Sequence, residues 1–455
     1  MAGRSRAASA LALAPLSLVP AAAFPILFLH LEYQPKVHVG LGSTTVGIEL
    51  SDVAVLAVAA AAVVSGVRDG WDPLRSGRRV WLFGGIFLAL VVAATIYPLV
   101  RMEHYHLLTH AVTAAKFCEY GLLAPAMPLL LRRRGDLPPL LWTAAGWSAL
   151  ASGWAVLQFA GVVNEIEGRR PLQREPSFVG IHDFAALSSA ALAIAFAVFL
   201  LGRGSRHERS LGIVAGAAGA IGLVMCGAAT GIAGSALASA AVIAIALIRR
   251  KVTTRRLFAV IAVLAIVTAG VLLMRGGELV RTARAFGIGS NPKAGHGIES
   301  YEERSLLMYI GGRIFLDHPL VGVGWQGSEE LENYQPYLSD ARRRFPEAPQ
   351  IAFPAPEHAW GVQNAYLQTL SDLGLLGALC LLALVAAGMT LAMRATLRAP
   401  PDALVPAVIG LLWLLVAAGV WNGVGLVAGI PLDALTWLGF GLVGAAAAWA
   451  DGADG

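Results

Sequence analysis

Apolar runs of about 20 residues recur from one end of the chain to the other, separated by shorter polar segments. A run of about 20 residues is long enough to cross the hydrocarbon core of a bilayer as one α-helix. The pattern therefore predicts an all-α integral membrane protein with about twelve transmembrane helices. The predicted spans are residues 8–29, 51–67, 80–100, 107–131, 140–163, 183–201, 211–226, 232–248, 257–274, 364–393, 403–421 and 428–449.

The first apolar run has two interpretations. Arg4 and Arg6 precede it, and the three alanines at positions 21–23 are small enough for a signal-peptide cleavage site. The run continues past these alanines to Phe28, however, and this length favours a first spanning helix. The remaining topology is the same under either interpretation.

The longest polar segment, residues 275–363, lies between the ninth and tenth spans. Its arginines and glutamates are interspersed, which indicates a folded cap rather than a disordered tail. Apolar residues at near-helical spacing predict an amphipathic helix from Tyr301 to Leu316, lying along the membrane surface and ended by Pro319 and the glycines that follow. The chain thus divides into membrane helices 1–9 (residues 1–274), the cap (275–363) and membrane helices 10–12 (364–455).

Arginine-rich loops define the predicted orientation. The short loops that begin at residues 68, 132, 203, 249 and 394 are rich in arginine, and basic residues concentrate on the cytoplasmic side of membrane proteins. The cap is then outside, both termini are cytoplasmic, and we expect a multi-pass protein of the cytoplasmic (inner) membrane. The net charge of +5 reflects this orientation and does not indicate nucleic-acid binding.

The composition excludes an ordinary soluble domain and gives no support for a metal centre. Hydrophobic residues make up 57% of the chain and charged residues 14%, against about a quarter charged in globular domains. All three cysteines lie in apolar runs, which predicts neither a disulfide framework nor a zinc site. Histidines 104, 106 and 110 have too few acidic or cysteine neighbours for a metal site, and we expect them at the surface. No metal or cofactor is predicted.

Two ionisable residues, Lys116 and Glu119, lie inside the fourth span. Charges within a membrane are candidates for function. Residues three apart on a helix also lie close enough to neutralise each other. We therefore expect a local ion pair between these two side chains.

Several arginines lie in segments predicted to face outside, against the usual bias: Arg169, Arg170, Arg174, Arg304 and Arg313. Arginine binds phosphate through two parallel hydrogen bonds and stays charged at any accessible pH. These residues are candidate ligands for a phosphate-bearing substrate. Contact with solvent or with lipid headgroups is the alternative explanation for each of them.

Three stretches of this sequence resemble the O-antigen ligase and polymerase family. The first runs from Gly312 to Trp325 and contains Asp-His-Pro-Leu-Val-Gly-Val-Gly. The second runs from Asn364 to Gly377 and begins Asn-Ala-Tyr-Leu-Gln. The third, from Arg174 to His182, resembles the family's arginine-containing entry to the sixth span. About twelve spans with a long outer loop before a late helix are also typical of the family.

The resemblance implies a reaction. Members of the family transfer a glycan from a polyprenyl-diphosphate carrier to an acceptor at the outer face of the membrane, without a metal or a nucleotide sugar. It implies an inverting membrane glycosyltransferase here, with the lipid-linked oligosaccharide, a glycan or lipid acceptor and membrane lipids as partners. The resemblance selects Arg174 and Arg304 for the diphosphate, and Arg313 is a further candidate. Asn364, Tyr366 and Trp325 are candidates for binding the acceptor or sugar, although Trp325 is equally suited to anchoring the loop at the membrane interface.

Two departures from the family pattern bear on the mechanism. In the ligases a histidine commonly precedes the asparagine of the second stretch and is implicated as the base, but this chain has Gln363 there. An amide does not titrate near neutral pH, so it cannot be a general base. The nearest substitute is His358, with Glu357 beside it, and an ordinary loop histidine is the alternative explanation for His358. Many relatives also carry an arginine between spans seven and eight, whereas residues 228–235 contain none. Both departures favour a polymerase-like or divergent member.

The competing hypothesis is a multi-span transporter or flippase of an anionic or lipid-linked solute. Many transporters have internal repeats, interrupted helices and polar residues near the middle of the membrane. This chain has no convincing internal repeat, and its polar residues are concentrated in the cap. The sequence therefore favours the enzyme, although a membrane scaffold without a reaction is a third possibility.

Overall fold

The computed structural model describes residues 15–41, 44–101, 105–164, 166, 171–249, 252–274, 301–346, 348–358, 360–400, 403–426 and 430–451. These residues are predominantly helical, as the sequence predicts. In the part before the cap the helices are α1 (Val19–Leu27), α2 (Leu50–Asp69), α3 (Arg78–Ile96), α4 (Leu107–Gly121), α5 (Leu123–Leu130), α6 (Leu137–Phe159), α7 (Ile181–Leu201), α8 (Arg206–Cys226), α9 (Ala229–Ile248) and α10 (Thr254–Met274).

The cap and the last part of the chain contain five further helices. They are α11 (Tyr301–Asp317), α12 (Leu331–Arg344), α13 (Ala365–Arg398), α14 (Leu404–Val420) and α15 (Ile430–Asp451). The cap helix predicted from Tyr301 to Leu316 is confirmed to within one residue. Residues 275–300 of the predicted cap lie outside the described residues.

Ten helices among the described residues are long and apolar enough to cross a membrane. They correspond to the second, third and fifth to twelfth predicted spans, which supports a multi-pass membrane protein. The described part of the first span forms the short helix α1, and the fourth span is divided into α4 and α5 at Leu122. Pro125 follows this division and cannot donate the next helical hydrogen bond. The count of about twelve stays a prediction.

Two helices are central to the bundle and one is peripheral. The spans of α7 and α15 are each 94% buried, whereas the span of α10 is 17% buried. Small residues allow close packing around the centre, as at the contact of α9 with α14. A Cβ added to Gly419 would lie 2.4 Å from the Cα of Gly234. The two backbones therefore touch, as is common between membrane helices that meet at small residues.

A small hairpin joins α1 to α2 and corrects one prediction. Strands β1 (Lys36–Leu41) and β2 (Thr44–Glu49) pair antiparallel, with Lys36 opposite Glu49. The Glu49 backbone N–H donates to the Asp52 carboxylate at the start of α2. Lys116 of α4 lies 3.1 Å from Glu49 and 3.3 Å from Asp52. The ion pair predicted between Lys116 and Glu119 is therefore wrong: Lys116 pairs instead with Glu49, the last residue of β2, and with Asp52 in α2.

The cap has its own hydrophobic cluster. Side chains of α11 pack against α12 and against the segment that follows it, with Leu306, Ile310 and Ile314 at the centre and Tyr334 and Phe353 around them. All five are at most 4% exposed. The mixed charges of this segment therefore surround a packed core, as expected for a folded cap.

Helix α13 is interrupted at Gly374, whose backbone is left-handed (φ 62°). The loop after α11 fills the interruption with main-chain hydrogen bonds. Val323 and Gly324 donate their N–H groups to the carbonyls of Ser371 and Asp372, at 3.0 and 2.8 Å. Beyond the break, the N–H of Leu375 donates to the Pro319 carbonyl at 2.8 Å. The first two family-like stretches are thus direct neighbours.

Glycine is required where this loop meets α13. Gly322 and Gly374 both have positive φ, which other residues adopt only with strain. A Cβ on Gly322 would lie 2.4 Å from the Asp372 carbonyl, and one on Gly374 would lie 2.4 Å from the Leu320 carbonyl. Each glycine therefore serves both a left-handed turn and a close backbone approach.

Candidate functional site

Arg304, in the first turn of α11, reaches the ends of two membrane helices, α7 and α9, that the sequence predicts to face outside (called the outer ends below). Its Nη2 lies 2.9 Å from Nε2 of His182, at the start of α7. A guanidinium only donates, so His182 accepts through Nε2 and carries its proton on Nδ1. That Nδ1 lies 3.5 Å from the hydroxyl of Thr230 in α9. On the other side, a Cβ added to Gly423 would lie 2.7 Å from Arg304 Nη1.

Arg174, in the segment before α7, lies beside the turn that leads into α9. It is 7% exposed, and its Nε donates to the Cys226 carbonyl at the end of α8, at 3.0 Å. Its side chain packs on Gly227, where an added Cβ would lie 2.9 Å from Cγ. The neighbouring Glu175 is fully buried and supplies a carboxylate to this region. The turn from α8 to α9 is therefore flanked by one of the predicted phosphate ligands, Arg174, on the α8 side.

We call Arg174, His182, Thr230 and Arg304 the outer arginine cluster. Its members surround the N-terminus of α9, which has no side-chain cap. A helix N-terminus carries partial positive charge and unpaired N–H groups, and so favours an anion. Two arginines beside it increase the positive potential of the same place. The cluster therefore provides donors suited to a phosphate or diphosphate group.

The third predicted phosphate ligand, Arg313, is not brought into this cluster. It is exposed and lies nine residues after Arg304 on α11, which is about two and a half helical turns and hence the opposite face. There its positive charge acts on Asp340. The pKa of Asp340 is lowered mainly by a hydrogen bond from Tyr309, and the charge of Arg313 lowers it further. Arg169 and Arg170 lie outside the described residues.

The predicted base residues lie in the loop before α13. His358 is half-buried and pairs through its backbone with Ala355, while Glu357 is exposed. The His358 Nε2 is buried and has no hydrogen-bond partner among the described residues. The His358 ring lies 5.6 Å from that of Trp360. His358 thus has one ring nitrogen available for a proton, whereas Glu357 points into solvent-accessible space.

Two predicted acceptor ligands, Asn364 and Tyr366, make internal hydrogen bonds at the start of α13. Asn364 is its N-cap: Oδ1 accepts from the Leu367 N–H at 3.0 Å, and Nδ2 donates to the Asn422 carbonyl at 3.3 Å. The Tyr366 hydroxyl donates to the Ala418 carbonyl at 2.8 Å. These bonds fix α13 against α14, so both residues support the position of Gln363 whether or not they touch a sugar.

Trp325, predicted as a sugar platform, is buried. It is 1% exposed, its Nε1 donates to the Thr113 hydroxyl at 3.1 Å, and its ring lies 5.1 Å from that of Phe117. The loop after α11 places Trp325 inside the bundle, because the backbone N–H of Trp325 donates to the Ala94 carbonyl of α3. This burial argues against stacking on a sugar.

A second polar group, the acidic cluster, consists of Glu329, Glu330, Asp372 and His110. His110 donates to Glu330 at 2.6 Å, and this hydrogen bond, with the charges of His110 and His106, lowers the pKa of Glu330. Burial, reinforced by the charges of Asp372 and Glu330, raises the pKa of Glu329 to about 8. Because of this raised pKa, Glu329 is protonated near neutral pH.

His110 is 6% exposed, so the expected surface position is wrong for this histidine.

Glu329 lies close to the segment that carries Gln363. A Cβ added to Gly361 would be 2.4 Å from Glu329 Oε1, and Gly361 is two residues before Gln363. The next residue, Val362, packs on Gly311 of α11. A titratable carboxyl group thus lies beside the place where the family's ligases carry a histidine.

Sequence reasoning missed three parts of this site. His182 was part of a family-like stretch, and its position at the start of a span was a usable signal, because ionisable residues at membrane depth are candidates for function. Thr230 and Glu329 gave no comparable signal. Their roles depend on the packing of α9 against α7 and of the cap against α13, which no local pattern encodes.

The model of the O-antigen ligase family matches residues 214–382. The match extends from α8 through the cap into α13 and contains Thr230, Arg304, Glu329 and Gln363, but not Arg174 or His182. It confirms the family resemblance and supports a membrane role in O-antigen ligase-like glycan transfer. A comparison with curated proteins found no match.

Proposed function

We propose that this protein transfers a glycan from a polyprenyl-diphosphate carrier to a sugar acceptor at the outer face of the membrane. The observation that supports this most is the position of Arg304. Arg304 lies within the family match. Its side chain extends from α11 to His182, beside the N-terminus of α9, which has no side-chain cap. Arg174 flanks the same turn. A lipid diphosphate there would meet the two arginines and the N–H groups at the start of α9.

The outer arginine cluster would act on the leaving group. As the bond between the anomeric carbon and the phosphate oxygen breaks, negative charge develops on the diphosphate. Donors already aimed at that charge lower the barrier because they need no reorganisation during the reaction. Arg174 and Arg304 supply such donors, and the N–H groups of α9 add to them. The carrier diphosphate is released with the bonding electron pair.

The acceptor hydroxyl attacks the anomeric carbon from the opposite side and loses its proton to a base, which inverts the configuration. His358 and Glu357 are the candidates from the sequence, and Glu329 is a third because it lies beside Gly361. A pKa of about 8 for Glu329 suits a group that exchanges a proton near neutral pH. If Glu329 is the base, the transfer rate should rise with pH through about 8.

Transfer by the purified protein from a polyprenyl-diphosphate-linked oligosaccharide tests the proposal. A ladder of lengthening lipid-linked products would indicate a polymerase, and one transfer to a distinct acceptor would indicate a ligase. Comparing His358→Ala, Glu357→Gln and Glu329→Gln identifies the base, since only one of them should remove the pH dependence. Absence of turnover with a broad panel of donors would contradict the enzyme.

One observation favours the transporter hypothesis. Helix α13 is interrupted at Gly374 beside the buried Asp372, and interrupted helices are typical of transporters. Here, however, the loop from Pro319 to Gly324 satisfies the carbonyl and N–H groups on both sides of the break. The break therefore anchors the cap and need not line a path. Flipping of a labelled lipid-linked oligosaccharide in vesicles, without transfer, would favour the transporter.

A further inference from the structure

A groove of about 820 Å³ opens between α7, α8 and α10 at the end of the bundle predicted to face the cytoplasm. It is far from the outer arginine cluster and is not used in the proposed reaction. Its walls include Leu192 and Phe196 of α7 and Val263 of α10. Helix α10 is the least buried of the ten spans in the described part of the chain, so the groove lies at the periphery of the bundle, where lipid chains surround the protein.

Small residues of α8 create this groove. Gly212, Gly216 and Ala220 recur every four residues and therefore form one face of the helix. The face extends for eight residues, or about 12 Å at the helical rise. One leaflet of the hydrocarbon core is about 15 Å thick, half of the whole core. The depth of the groove therefore matches an acyl chain of a single leaflet.

The mouth of the groove is basic. Arg203, Arg209 and Arg256 line it together with one acidic residue, Glu208. The Glu208 carboxylate accepts the Ser205 N–H at 3.0 Å, as part of the N-terminal cap of α8. The guanidinium of Arg256 lies over the ring of Phe199, 5.9 Å from its centre. Three arginines thus stand at the headgroup level, above an apolar channel one leaflet deep.

We propose that this groove binds a phospholipid with an anionic headgroup from the cytoplasmic leaflet. An acyl chain would lie along Gly212, Gly216 and Ala220, and the phosphate would accept hydrogen bonds from Arg209 and Arg256. Arginine binds phosphate well, and each basic residue near a membrane surface contributes about 1 kcal/mol of attraction to anionic lipid. A carrier diphosphate at the outer face does not reach this mouth. The inference is independent of the proposed function.

Native mass spectrometry of the full-length protein, released from micelles with equal phosphatidylglycerol and phosphatidylcholine, tests this site. We expect the unmodified protein to retain phosphatidylglycerol preferentially. The double variant Arg209→Gln/Arg256→Gln should lower the ratio of retained phosphatidylglycerol to phosphatidylcholine by about thirtyfold, since each arginine contributes about 1 kcal/mol. The matched control is Arg394→Gln/Arg398→Gln, two exposed arginines at the same end of the bundle, and it should leave the ratio unchanged.

A second variant tests the groove separately from its charge. Ala217 is exposed and lines the groove, so Ala217→Phe fills the channel without a clash in the bundle. It should reduce the retained phosphatidylglycerol while all three arginines remain. Equal retention of the two lipids by the unmodified protein would overturn the proposal. An unchanged ratio in the double arginine variant, or full retention by Ala217→Phe, would overturn it as well.

Discussion

Arginines at the two ends of this bundle meet opposite ends of helices. At the end that the sequence predicts to be cytoplasmic (called the cytoplasmic end below), Arg132 donates to the carbonyls of Ser65, Asp69 and Gly70 at the end of α2. Arg249 binds the carbonyls of Thr396, Leu397 and Ala399 at the end of α13. The last carbonyls of a helix lack partners within it and carry partial negative charge. These two arginines therefore stabilise the fold.

At the outer end the positive charge is placed against a helix start. Arg304 stands beside the uncapped N-terminus of α9, where the helix dipole is itself positive. Such an arrangement is favourable when an anion is bound. Arg174 is intermediate, because its Nε also donates to the last carbonyl of α8. The residue type is the same at both ends of the bundle, so the helix end that an arginine faces indicates its role. A helix C-terminus indicates stabilisation of the fold, and a helix N-terminus indicates anion binding.

Arg304→Ala should have the largest effect on activity. Removing one charge-stabilising donor commonly lowers catalysis by about a hundredfold to a thousandfold, and we expect that loss of transfer with an unchanged elution profile in detergent. Arg313→Ala is the matched control, because it removes an arginine from the opposite face of the same helix. Equal activity of the two variants would show that the outer arginine cluster does not bind the donor.

Gly322→Ala should have the largest effect on stability. The new Cβ would lie 2.4 Å from the Asp372 carbonyl, at a positive φ, so the loop would have to leave the break in α13. We expect a lower midpoint of thermal unfolding and early proteolysis of the cap. Gly312→Ala is the control: its Cβ would meet nothing within 4 Å, and alanine favours the helix by roughly 0.5–1 kcal/mol. Equal thermal midpoints for both variants would refute the role of Gly322.

Arg132→Ala should be destabilising at the cytoplasmic end while sparing transfer per folded molecule. Several carbonyls and the Ser65 hydroxyl lose a charged donor, and a hydrogen bond to a charged group contributes roughly 1.5–3 kcal/mol. Thermal unfolding in detergent measures the effect. The exposed neighbour Arg133, changed to Ala, should leave the midpoint nearly unaltered. A loss of specific activity in Arg132→Ala would contradict the separation of the two ends.

The sequence predicts the membrane helices well, because a bilayer imposes a length and an apolar character that each segment shows by itself. The cap helix from Tyr301 was also predictable, since its period is local. The pairing of Lys116 and the burial of His110 and Trp325 were not. They depend on which helices are neighbours, and on a loop that enters the bundle to fill the break at Gly374. The meeting of Arg304 with His182, 122 positions apart, is likewise a property of the packing.

The smallest expected effect is a pH dependence at the outer end. Because the pKa of Glu329 is raised from 4.5 to about 8, the folded protein binds this proton more tightly than the unfolded chain does. Its contribution to stability is therefore fully present below about pH 4.5 and is lost as the pH rises through about 8.

Thermal unfolding of the unmodified protein and of Glu329→Gln, measured from pH 5 to pH 9, isolates the contribution of Glu329 to stability. All other titratable groups are common to both proteins, so only the difference between the two midpoints reports on Glu329. We expect the unmodified protein to lose stability relative to Glu329→Gln as the pH rises, with most of the change complete near pH 9. Glu330→Gln should weaken the same pH dependence, because the charge of Glu330 helps to raise the pKa of Glu329. A constant difference between the unmodified protein and Glu329→Gln would mean that Glu329 is ionised in the folded protein across this range, which would contradict the raised pKa.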